Sequence, residues 1–134
     1  MNKITLSLIT IVSVFTLSFT QSDGLSASME RGKSVYETHC MSCHMAEGQG
    51  LEGAFPPLAK TGRLTDKGKM VKIVLDGMSG PITVNGKEYD IEMKGLDLND
   101  QELTDVLNYI RNSWGNKNPE IKVSEIKSLK SSSK

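Results

Sequence analysis

The chain has 134 residues, with sixteen basic and sixteen acidic side chains and only 5% aromatic residues. That length holds one domain plus a targeting segment, and the balanced charge gives no sign of nucleic-acid binding. The balance is uneven along the chain: Asp23 to Gly115 carries ten basic against fourteen acidic residues (−4), and Asn116 to Lys134 carries five lysines against two glutamates (+3).

Residues 1–22 read as a secretory signal: Lys3, an apolar run from Ile4 to Phe19, then polar residues. The apolar run is shorter than the roughly 20 residues of a membrane span. Cleavage after Ser22 fits small residues at Thr20 and Ser22; an uncleaved N-terminal anchor is the alternative. Either way the rest of the chain is expected outside the cytoplasm, in the periplasm or tethered to the membrane.

The first globular element is predicted as a helix over Met29–His39, capped by Ser28, with Gly32 and Tyr36 one turn apart on one face. It runs directly into Cys40-Met41-Ser42-Cys43-His44. A Cys-x-x-Cys-His run is the attachment signature of c-type haem. Two thiols three positions apart can each bond one vinyl group of the same porphyrin while the adjacent imidazole turns to the iron. Zinc would need four ligands, and only His39, badly placed beside Cys40, lies outside the run. A redox dithiol would want a βαβ context, and a plain disulfide would leave His44 without a role. The motif therefore points to haem c, and a buried porphyrin would supply the flat apolar surface that the aromatic shortage withholds.

After a Gly-rich acidic stretch, Phe55-Pro56-Pro57-Leu58 forms a stiff extended segment. It can hold a backbone carbonyl against the second ring nitrogen of His44, which would fix the tautomer; as composition it is equally a simple rigid loop. A second helix is predicted over Asp66–Asp76, capped by Thr65 and stopped by Gly77, with an apolar side of Met70, Val71, Ile73, Val74 and Leu75. Ile82 to Asp90 reads as a hairpin turning at Asn85-Gly86. The last strong helix covers Asp100–Trp114 and ends at Gly115, with a capping box at Asn99 and Glu102 and a hydrophobic staple of Leu98 and Leu103. Residues 23–115 make up the predicted domain. Residues 116–134 read as a basic, Ser/Lys-rich flexible tail.

These motifs together resemble the small class I cytochromes c, over most of Ser28 to Gly115. The resemblance rests on the Cys40–His44 run, Phe55-Pro56-Pro57-Leu58, the stretch Gly77 to Gly86, and Leu107-Asn108-Tyr109-Ile110-Arg111-Asn112-Ser113-Trp114-Gly115. It implies an all-α fold of three to four helices around one haem c bound covalently through Cys40 and Cys43, with a short β-hairpin before the axial methionine loop. It also implies a close crossing of the first and last helices, here Gly32 and Tyr36 against Val106 and Tyr109. The proline whose carbonyl receives the proximal histidine's proton falls on Pro56.

The resemblance places the sixth iron ligand in the loop before the last helix, which selects Met93 beside His44. That family usually follows the methionine with prolines, and this chain has Lys94-Gly95-Leu96 instead. Met78 is the alternative. A His/Met iron changes charge without changing its ligands, so the implied function is one-electron transfer rather than enzymatic turnover. The expected partners are other redox proteins: a membrane cytochrome complex, a terminal oxidase or a periplasmic oxidoreductase. They would be met by a monomer at an acidic haem edge near Met41, Met45 and the hairpin. Two alternatives remain: an open-site haem protein binding small ligands or peroxide, and a dedicated cytochrome subunit of one oxidoreductase.

Overall fold

A computed structural model describes residues 24–132; the expected signal segment lies outside the described residues. Helix α1 spans Leu25–His39 and runs through Cys40 into the single turn α2, Met41–His44. A 3₁₀ turn at Gly62–Leu64 precedes α3, Lys67–Asp76. Strands β1 (Gly77–Met78), β2 (Ile82–Val84), β3 (Lys87–Tyr89) and β4 (Met93–Lys94) follow, then α4 (Asp100–Asn112) and α5 (Val123–Ser132). The mostly helical fold and the hairpin are as expected. β2 and β3 pair antiparallel around Asn85 and Gly86, both at positive φ.

The frame is the crossing of α1 and α4. A Cβ on Gly32 would fall onto the carbonyl of Asp105, so only glycine lets the two backbones approach this closely. Beside that contact the rings of Tyr36, Tyr109 and Trp114 stand mutually tilted, with centroids 4.9–5.5 Å apart. Above it, the buried Asp105 carboxylate accepts from Ser28 Oγ at 2.6 Å and from Arg31 Nε at 2.7 Å. Ser28 therefore does not cap α1. The helix begins a turn earlier, after Gly24, and the Ser28 hydroxyl is committed to the crossing.

Two other termini differ from expectation. Asp66, not Thr65, caps α3, its carboxylate accepting from Lys69 N at 2.9 Å. Helix α4 keeps its predicted capping box at Asn99 and Glu102 but ends at Asn112, because Ser113 is extended and Trp114 turns to positive φ.

The larger departure is the C-terminal segment. Residues 116–132 are not a flexible tail; they pack into the same core. Ile121 and Ile126 are fully buried, and Leu129 packs against the cluster. The buried Asn108 reads the Ile121 backbone at both ends, its Nδ2 donating to Ile121 O at 2.9 Å and its Oδ1 accepting from Ile121 N at 2.8 Å. Arg111, also buried, donates to Leu64 O and Pro119 O. At the edges of α5, Lys67 pairs with Glu125 at 2.6 Å and Lys130 with Asp100 at 2.7 Å. The lysines and serines face outward, while Ile121, Ile126 and Leu129 form an apolar side that burial rewards by about 1.5–3 kcal/mol per large side chain.

Candidate functional site

The Cys40–His44 run sits where α1 delivers it to the core. Cys40 N donates to Tyr36 O at 2.8 Å and His44 N to Cys40 O at 2.9 Å, so both cysteines and the histidine lie on one continuous helical turn. Tyr36 OH donates to Met45 O at 2.6 Å and ties the end of that turn to the helix crossing. The thiols are not joined to each other. Cys40 is buried, and that burial, with Cys43 alongside, pushes its thiol up to about 11, so it is fully protonated at neutral pH.

His44 is also buried. Its Nδ1 lies 2.9 Å from the carbonyl oxygen of Pro56. A carbonyl only accepts, so Nδ1 carries the proton and Nε2 keeps its lone pair for a metal. Burial pushes the imidazole below its ordinary value; the Pro56 carbonyl, which favours a charged ring, offsets part of this. The ring is thus a neutral, oriented donor.

The loop that presents Pro56 is closed by backbone bonds: Leu58 N and Ala59 N both donate to Gly48 O, and Gly50 N donates to His44 O. Asn116 Nδ2 donates to Leu58 O at 2.8 Å and to Ile110 O at 3.0 Å, which fastens the loop to the end of α4. Asn116 is a support that the sequence reading missed, its only signal being a polar residue just after a glycine, and Arg111, read there as part of the last helix's motif, has the further role of tying α4 to Leu64 and Pro119.

Met93 lies on β4. β4 pairs antiparallel with β1, so that Gly77 faces Lys94 and Met78 faces Met93. Gly77 turns off the end of α3 at φ 84°, and a Cβ there would strike Met93 O. Leu96 N donates to Val74 O at 2.8 Å, fastening the strand's exit to α3. The Lys94-Gly95-Leu96 segment is therefore held by backbone pairing in place of ring stiffness. His44 and Pro56 are brought together; Met93 and Met78, the two alternatives for a sixth ligand, are brought to each other.

The donor set suits a c-type haem: two unlinked thiols and a neutral, oriented imidazole on one turn, with thioethers available elsewhere. Among the described residues no group of three His, Cys, Asp or Glu side chains stands together to hold a metal ion.

Comparison with known proteins agrees with this chemistry. The profile of the cytochrome c family matches residues 29–114. The chain is 34% identical over 107 residues to cytochrome c-552 of Thermus thermophilus, covering 74% of this chain and 70% of that protein. It is 36% identical over 104 residues to the cytochrome c subunit of the quinone alcohol dehydrogenase of Gluconobacter oxydans, and 37% identical over 109 residues to the gluconate 2-dehydrogenase cytochrome c subunit of Pantoea cypripedii. Those alignments cover 74% and 73% of this chain but 22% and 24% of the larger subunits. With a family profile across its core and a Cys-x-x-Cys-His turn whose histidine is oriented for a metal, the chain belongs to the cytochrome c family as a class I monohaem member whose function is electron transfer.

Proposed function

We propose that this protein carries single electrons between redox proteins outside the cytoplasm, using one haem c bound through Cys40 and Cys43, with His44 and Met93 as axial residues. The observation that carries the reading is the His44 Nδ1 to Pro56 O contact of 2.9 Å beside two unlinked thiols. The haem supplies the iron centre at which one electron is gained or lost.

The protein's own residues do the rest. Cys40 and Cys43 make the attachment permanent. Pro56 holds the His44 proton on Nδ1, so Nε2 stays a neutral donor whichever the oxidation state. Met93, on a strand pinned to α3, would offer its thioether to that iron, a ligand type that would favour the reduced state and leave no open position for small molecules. The Pro56 bond to His44 and the β1/β4 pairing that carries Met93 would hold these two side chains in place whichever the iron's charge, which would favour fast transfer.

Met41, Leu51 and Ile91 are the exposed large apolar side chains among the described residues. Met41 lies within the attachment turn, Leu51 within its loop, and Ile91 two residues before β4. Such residues suit a small, short-lived redox interface. Exposed acidic residues near them in sequence, Glu47, Glu88, Asp90 and Glu92, would steer a basic partner and make the encounter rate fall with salt, while Glu52 is paired with Lys87.

No helix among the described residues is long and apolar enough to cross a membrane. Export therefore rests on residues 1–22. The relatives that are dehydrogenase subunits support a second reading, in which this chain serves one such enzyme rather than a pool of partners. Deleting residues 116–134 cannot separate these readings, because Ile121 and Ile126 belong to the core.

The spectrum of the haem-loaded protein tests the axial assignment. A near-infrared methionine-to-iron charge-transfer band, with a reduced form that refuses carbon monoxide, is the expected result. A missing band with ready carbon monoxide binding would overturn it in favour of an open-site haem protein.

A further inference from the structure

Met78 and Met93 are not merely near each other in a loop; they are directly opposite residues of an antiparallel pair. Such residues project to the same face, with Cβ atoms about 4.5–5.5 Å apart. Successive residues of a strand project to opposite faces. Lys94 is thus turned to the other side of β4, and its partner Gly77 has no side chain. The methionine face of this rung carries two thioethers and no other ligating group from the ladder. Both residues are partly buried and border one cleft, whose rim also takes in Asp76, Ser79, Glu92 and Lys94.

The rung cannot slip to separate them. A Cβ on Gly77 would meet Met93 O across the rung, and one on Gly95 would meet Leu75 O at the end of α3, so the β4 segment lies at backbone contact against both β1 and α3. Methionine itself is unbranched, with three rotatable bonds, so a fixed Cβ still leaves its sulfur able to reach.

We infer that Met78 is a reserve axial residue: it packs beside Met93 while Met93 occupies the iron's sixth position, and supplies its own thioether there when the Met93 sulfur is lost. The inference rests on the His44/Met93 reading proposed above and extends it to a residue for which bare core packing would be the simpler role.

The test uses the full haem-loaded chain as wild type, Met93→Ala, Met93→Ser and the double variant Met93→Ala/Met78→Leu. The two single variants are carried in parallel so that a folding defect in one does not decide the outcome. Three readouts are taken: the near-infrared charge-transfer band, carbon monoxide affinity of the reduced form, and the strongly upfield methyl resonance of a ligated methionine in protein labelled with methyl-¹³C methionine. The expected result is that Met93→Ala and Met93→Ser keep a band and one upfield methyl, and that the double variant loses both. Because carbon monoxide must then compete with Met78, the single variants should bind it at least about tenfold more weakly than the double variant. If the single and double variants bind carbon monoxide alike and all lack the upfield methyl, Met78 is packing only and the inference is overturned. If the wild type itself lacks band and methyl, the methionine reading fails and takes the inference with it.

Discussion

His44 and Met93 are held by different physics. His44 stands on a helical turn continuous with α1, backed by the α1/α4 crossing at Gly32 and Tyr36, and its ring is fixed by a 2.9 Å bond to Pro56. Met93 stands on a two-residue strand whose supports are two antiparallel residue pairs, two glycines and the Leu96 to Val74 hydrogen bond. The first support draws on the most deeply buried part of the molecule; the second draws on backbone contacts at its edge. The difference teaches that His44 shares the stability of the whole fold, while Met93, the proposed partner across the iron, can be disturbed with the fold intact.

The strongest way to break the comparison is Gly32→Val. Its side chain has no space against the Asp105 carbonyl, so α1 and α4 must part, and the expected cost is at least about 3 kcal/mol. Guanidinium unfolding should show this together with loss of the Tyr36–Trp114 contact from near-ultraviolet dichroism. A cost under about 1 kcal/mol would mean that the crossing is not the frame on which His44 depends.

Ile126→Ala comes next. It removes a fully buried side chain from α5, and a cavity of that kind costs about 2–4 kcal/mol. A two-state denaturation curve should move accordingly, with one transition rather than two. Two transitions would separate α5 from the core that holds the His44 loop through Asn116.

Gly77→Ala should cost less, about 1–2 kcal/mol, because it strains one positive-φ position and its contact with Met93. Its effect should be local: the charge-transfer band weakens or vanishes, while the helical dichroism and histidine ligation persist. Equal damage to both sides would erase the distinction between them.

The mildest probe is acid. Burial alone would raise the Asp105 carboxyl, but its bonds from Arg31, Ser28 and Gln101 outweigh that and hold it below the ordinary carboxylate value. A carboxyl lowered by folding contributes stability that is fully present above its unfolded value of about 3.9 and is lost as pH falls through the lower folded value. The stability of Asp105→Asn should therefore depend less on pH than that of the wild type below about pH 4. An unchanged acid slope would show that the carboxylate bonds do not brace the crossing.

What the sequence by itself determined was whatever depends on neighbours along the chain. The Cys40–His44 spacing, the Asn99/Glu102 capping box, the Asn85-Gly86 turn and the apolar stripe of α4 each act within a few residues, so each was legible directly. Composition left Phe55-Pro56-Pro57-Leu58 equally a simple rigid loop, and it was the resemblance to class I cytochromes c that put the His44 partner at Pro56, where the structure has it. Composition misled for residues 116–132, where lysines and serines outnumber a sparse apolar side whose partners on α3 and α4 lie far away in the chain. Ser28 likewise resembled a cap, and only the approach of Asp105, 77 residues on, showed where its hydroxyl goes. Tertiary structure alone decided the pairing of Met78 with Met93, because a two-residue strand has no periodicity of its own. Its register is set by backbone contacts that only a glycine at Gly77 and another at Gly95 permit, and such contacts exist only once the chain has folded back on α3.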